Sequence, residues 1–243
     1  LFPYTTLFRS RTLDYSMAKP VVSTYDLNAI EVAAQLAEAT QSTLIAFSAG
    51  PKNVDNSKTK KNILSRGVDE LHLAIDGDYD GADAYQTAQA LAQLVGKCGD
   101  IDLAICGDGS ADLYARQVDV QLADALGWPV VNGVTSIEVN GETATISRIL
   151  ETEEETVQVT LPAVVSVIPE AAQPRIAGMK DILAAGKKPV ETFSAADLGG
   201  AAVSTIEVVE IKAPVPTPRK QELFDAATEG DLDRFVSALK SDL

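Results

Sequence analysis

Three times between Thr43 and Leu126 a short apolar run, stopped by glycine or a polar turn, gives way to a longer segment with helical character. No other feature of the chain restricts its fold as much. The runs are Thr43 to Ser48, halted by Ala-Gly-Pro, then Glu70 to Ile75, then Ile101 to Cys106. The segments that follow them are Ser57 to Ser65, Ala82 to Val95 and Ala111 to Leu126, the last closing at Gly127-Trp128-Pro129. Short strands that are apolar on both faces are parallel strands covered on both sides, and each parallel crossover needs a helix to bring the chain back. The expected core is therefore doubly wound α/β with a mostly parallel sheet. A helix precedes it from Tyr25-Asp26, with Ala29, Ile30, Ala33, Ala34 and Leu36 at helical spacing and Asp26 near its start.

Beyond Pro129 the pattern changes. Val134 to Val139 and Thr143 to Ile149 flank Asn140-Gly141, a pair suited to the positive φ angles of a tight hairpin turn, so a β-hairpin extension is expected. Val157 to Leu161 and Ala163 to Ile168 add two more strands. From about Ala171 the chain reads as irregular, with Pro174, Gly178, Gly186 and Pro189, and Ala213 to Pro218 reads as an extended proline-rich linker. A last helix from Asp231 to Asp242 places Leu232, Phe235, Val236 and Leu239 on one face. The opening Leu1 to Ser10 has no period and resembles a translated sequencing adapter, so the natural start is expected to be lost upstream of Arg11. The expected organisation is residues 1–10 as artefact, 11–190 as the α/β domain and 191–243 as a C-terminal arm.

Charge narrows the function. A formal net charge of −15 over 243 residues argues against nucleic acid or an anionic membrane surface as partner. Cys98 and Cys106 lack metal-site spacing and His72 is the sole histidine, so no zinc site is expected and no disulfide framework. No run is long enough to insert in a membrane, and the composition suits a cytoplasmic protein.

The strongest local signal is Cys106-Gly-Asp-Gly-Ser-Ala-Asp-Leu-Tyr-Ala-Arg-Gln-Val118, at the end of an expected parallel strand. Glycines there let backbone approach a ligand, and a helix N-terminus favours phosphate. The spacing is neither Walker A nor GxGxxG, so the residues alone allow either a nucleotide pocket or an ordinary glycine-bearing turn. A hydrolase using Ser110 would need a nearby base, and His72, within a strand, reads as structural.

Gly107 to Val118 resembles the adenine-nucleotide loop of electron transfer flavoprotein β subunits, with Asp112, Gln117 and Val118 at the positions of the family pattern. Tyr25 to Glu31, Leu64 to Gly67, Gly127 to Pro129, Leu161 to Val165, Pro174-Arg175 and Lys187 to Pro189 agree in order and spacing. Gly-Asp-Gly-Ser-Ala-Asp-Leu-Tyr and Phe193 to Leu198 are most similar to Fix-type members, linked to carnitine reduction or nitrogen fixation. The resemblance implies an adenine nucleotide α hydrolase-like fold lacking its first strand. It also implies an electron carrier without bond-making catalysis of its own, paired as a heterodimer with an FAD-carrying α subunit. Its partners would be an acyl-CoA-type dehydrogenase or a Fix-type oxidoreductase, with a quinone or ferredoxin-type acceptor. The implied cofactor contacts are Ser23, Tyr25, Asp26, Ala49, Gly107, Asp108, Gly109, Ser110, Ala111, Asp112, Gln117 and Val118. Asp112 is expected to cap the following helix, with Ser110 and Gln117 as hydrogen-bonding groups. Leu113 and Tyr114 replace smaller residues of bifurcating members, which favours AMP over a second FAD. Met179, with Arg175, corresponds to the loop that docks on dehydrogenases, and residues 191–243 to an arm reaching the α subunit. The rival reading is a stand-alone adenine-nucleotide-binding module.

Overall fold

The computed structural model describes residues 5–6, 11–110, 112–204, 206–215 and 221–242. The chain forms two compact units, one from residues 1–18 with 208–243, the other from Lys19 to Glu207.

In the first unit β1 (Thr5–Thr6) pairs antiparallel with β2 (Leu13–Asp14), and Arg11 and Ala213 exchange hydrogen bonds across a bridge between Thr12 and Lys212. The adapter-like Leu1 to Ser10 lies outside the described residues except for the Thr5-Thr6 backbone, as do residues 216–220, which include the end of the expected linker. The expected C-terminal helix forms over Asp231–Asp242. Its Phe235 ring meets Phe224 edge-on at 5.5 Å, while Leu232, Phe235, Val236 and Leu239 stay exposed.

The second unit is the α/β body. In chain order it contains α1 (Thr24–Thr40), β3 (Ile45–Gly50), α2 (Ser57–Leu64), β4 (Glu70–Ile75), α3 (Ala84–Cys98), β5 (Leu103–Gly107) and α4 (Val118–Leu126). There follow β6 (Val130–Asn140), β7 (Thr143–Ile149), β8 (Glu154–Thr160), β9 (Ala163–Val167), α5 (Met179–Ala185) and β10 (Val190–Phe193). The strands form two sheets, ordered β10-β4-β3 and β5-β9-β6-β7-β8. All pairings are parallel except β6 with β7 and β7 with β8, which make the hairpin extension around Asn140-Gly141. The terminal strands β3 and β5 each keep one edge outside these ladders.

Side-chain alternation shows why the sheets are covered on both faces. On β9, Val165 and Val167 enter a cluster with Ala29 of α1, while Val164 packs with Leu122 and Ala123 of α4. On β4, Leu71 and Leu73 face Ile63 and Leu64 of α2, and Ala74 faces Ala90 and Leu94 of α3. Successive residues of a strand point to opposite faces, so runs such as Ala163–Val167 are apolar throughout and buried throughout. The first three helices begin where a polar side chain claims an amide: Ser23 accepts from the Tyr25 N–H, Asn56 from Thr59, and Asp83 forms a capping box with Gln86.

Two expectations need correction. The third crossover helix begins at Val118 and not at Ala111, because Tyr114 and Arg116 take left-handed φ angles of 48° and 53° that no α-helix accommodates. Residues 191–193 are not the start of an arm: β10 lies in register against β4, Val190 opposite Leu71 and Phe193 opposite Ala74. The irregular stretch before it contains α5, and Lys188 donates from Nζ to the carbonyls of Leu64 and Val68, tying this return segment to α2.

Candidate functional site

The end of β5 and the start of α1 are in backbone contact. A Cβ on Gly107 would lie 2.7 Å from the Tyr25 carbonyl carbon and 2.9 Å from its oxygen, so only glycine permits this approach. The Gly107 amide lies near the Asp26 carboxylate. Protein crowds this carboxyl and raises its pKa to about 6, the Gly107 amide acting against the rise and Asp112 adding to it. Asp26 is nonetheless exposed, and solvent moderates the shift. One residue before Gly107, burial pushes the Cys106 thiol up to about 12, with Asp119 and Asp26 contributing. Beneath it the Ser166 hydroxyl donates to Asp119 at 2.6 Å in the interior.

From Gly107 the loop folds around Asp108. Its backbone N–H donates to the Val167 carbonyl at 3.0 Å, continuing the β5–β9 ladder, and its carboxylate is 5% exposed. That carboxylate accepts from the Tyr114 hydroxyl at 3.1 Å and from Arg116 Nη2 at 2.9 Å. The Tyr114 ring lies over Gly109, where an added Cβ would be 2.5 Å from it, and its centroid is 5.4 Å from that of Tyr25. The Arg116 guanidinium sits 5.6 Å from the Tyr114 centroid. Asp112 Oδ1 accepts from the Ser110 hydroxyl at 2.5 Å and the Leu113 N–H at 2.7 Å, and these bonds hold its pKa below the ordinary value.

The structure thus gathers Ser23, Tyr25, Asp26, Gly107, Asp108, Gly109, Ser110 and Asp112 at one end of the second sheet. Ala111 lies outside the described residues. Asp112 does not cap α4: its carboxylate is committed to the turn, and the N-cap position belongs to Gln117, which makes no side-chain capping bond. Val118 packs into the core with Leu122 and Val164, and Ala49 packs on the cluster of Tyr79 and Ala195. The sequence reading missed Arg116 as a partner of Asp108; the only local signal is the opposite charge eight residues on.

Among the docking residues, Met179 opens α5 and is 74% exposed, beside exposed Ile176 and Leu183. Arg175 is held within its own unit. Its Nε lies 2.8 Å from Glu31 Oε2 and its Nη1 2.6 Å from Glu38 Oε1, and its backbone carbonyl accepts from Arg66 Nη1. Burial opposes the Glu31 charge, but bonds from Arg175 and Gln35 prevail and lower its pKa; Arg175 is raised in return. His72 is buried between Phe47 and Phe193, on the other sheet from Ser110.

As a nucleotide site the loop supplies amides at the start of α4 that no cap side chain claims, ring surface from Tyr25 and Tyr114, and the guanidinium of Arg116. These fit a base and a phosphate. Among the described residues no cluster of His, Cys, Asp and Glu could hold a metal, and no helix is long and apolar enough to cross a membrane. Residues 13–198 match the family profile described as the electron transfer flavoprotein domain.

Proposed function

Because the chain belongs to the electron transfer flavoprotein family, we propose that it is the β subunit of such a carrier, of the Fix type, working in the cytoplasm as a heterodimer with an FAD-carrying α subunit. The observation that carries this reading is the β5–α4 loop: a glycine-bearing turn at the C-terminal end of a parallel strand, in backbone contact with the start of α1, is where open α/β sheets take nucleotides. AMP is the preferred ligand. Ser23, Tyr25, Asp26, Gly107, Gly109, Ser110 and Gln117 would surround it, with Tyr114 leaving less room for a second FAD. The flavin, when bound at the interface with the α subunit, supplies the one- and two-electron chemistry. This chain's residues place and insulate; no bond-making catalysis is assigned to them.

The exposed apolar group Ile176, Met179 and Leu183 supports a docking role towards a dehydrogenase, because one flexible apolar side chain can anchor in a partner's pocket. Arg175 would act there by fixing this segment through Glu31. The exposed apolar face of the C-terminal helix supports an arm that covers the α subunit.

Co-expression with the product of the neighbouring gene, followed by release and identification of bound nucleotides, tests the reading. One FAD and one AMP per heterodimer is the expected result. Two FADs would make the carrier a bifurcating one, and a nucleotide-binding monomer that forms no flavin complex would favour the stand-alone module.

A further inference from the structure

Two residues of the β5–α4 loop carry a backbone conformation their side chains disfavour. Tyr114 and Arg116 are left-handed without being glycine, asparagine or aspartate. Asp108 holds them there: its nearly buried carboxylate binds the Tyr114 hydroxyl and Arg116 Nη2 together. Strain that surrounding contacts fix in this way is a mark of a group set in place ahead of its use.

Arg116 is also the only lysine or arginine between Lys97 and Arg148, in a region that gathers Asp26, Asp108, Asp112 and Asp119. Any phosphate entering here meets carboxylates first and has this one nearby cation in the segment to compensate. The Asp108 contact uses a single guanidinium nitrogen, Nη2, and half of the Arg116 side chain is exposed. A planar guanidinium can therefore keep Asp108 at Nη2 and present its remaining donors to a second anion.

Resting on the reading of this loop as an adenine-nucleotide site, we propose that Arg116 is its phosphate anchor, a ligand-binding residue oriented by Asp108 and Tyr114. Asp108 is then a positioning residue, and Arg116 sets the preference for a phosphorylated ligand over the bare nucleoside.

Calorimetric titration of the full chain, in complex with its partner where one is required, with AMP and with adenosine separates the possibilities. Nucleotide is first stripped from the protein. Arg116→Gln is expected to weaken AMP at least tenfold while adenosine stays within twofold, since only the phosphate loses its partner. Arg116→Lys keeps the charge without the fork and recovers part of the loss. Asp108→Asn lowers the AMP-to-adenosine preference severalfold without changing adenosine. Equal weakening of both ligands by Arg116→Gln, or no change in either, overturns the anchor and leaves the nucleotide site standing. Wild-type protein that binds neither ligand overturns the site itself, and the anchor with it.

Discussion

Two strand-to-helix connections of the same body are built in opposite ways. Between β4 and α3 the carboxylates Asp76 and Asp83 are held by protein partners: Asp76 accepts from the Ala195 N–H at 3.1 Å, Asp83 and Gln86 cap each other at 2.8 and 3.2 Å, and Asp83 also accepts from the Ser204 hydroxyl. Between β5 and α4 the helix starts without a capping side chain, two residues are left-handed, and Leu113 is 75% exposed. In the first connection the capping and turn carboxylates are spent on the protein itself. The second retains unclaimed donors and strain, which is what a binding loop on a rigid scaffold requires.

The largest effect that would break this contrast is expected at Gly107. Gly107→Ala drives a methyl into the backbone of Tyr25, and denaturant unfolding should show a loss of about 2–3 kcal/mol together with loss of nucleotide binding. In the capped connection Asp83→Ala should lose about 1–2 kcal/mol by the same measurement and leave nucleotide affinity unchanged. If Asp83→Ala instead abolished nucleotide binding, the division of labour between the two turns would be wrong. Asp26 gives a pH signature. Its folded pKa of about 6 lies above its ordinary 3.8, so its neutral form favours the folded state: the contribution is complete below about pH 4, fades as pH rises and is gone above about pH 6. Thermal melts of Asp26→Asn should lack that decline, since the amide does not ionise. Least affected should be Leu113→Ser, within about 0.5 kcal/mol of the parent in stability because the side chain is already in water.

The same contrast explains what could be read from the sequence. Strand and helix periods are local, and β4, β7 and the C-terminal helix Asp231–Asp242 occur where periodicity puts them. The capped helices were legible for the same reason. The 111–117 stretch misleads because alanine, leucine, arginine and glutamine all favour helix, and what works against it is the grip of Asp108, six and eight residues upstream, on Tyr114 and Arg116. Strand β10 was missed because four residues between a proline and a serine carry little pattern; it is a strand because β4 offers an open edge. The Arg175–Glu31 pair joins positions far apart in the chain and has no local signature. The site loop was found through its glycines and aspartates, whereas its one cation was not, since an arginine eight residues from an aspartate is commonplace.

The place of β10 has a consequence for synthesis. Strand β4 leaves the ribosome early but acquires its second neighbour only after more than a hundred further residues have been made, when Val190–Phe193 arrive. Until then β4 exposes a row of amides and carbonyls in the nascent chain, and Asn28 and Glu31 of α1 lack the Pro169, Ala172 and Arg175 groups that later satisfy them. The amino-terminal half cannot mature as it emerges. Its completion is a late, long-range event, which makes co-translational holding by a chaperone more valuable for this chain than for one whose strands pair in order.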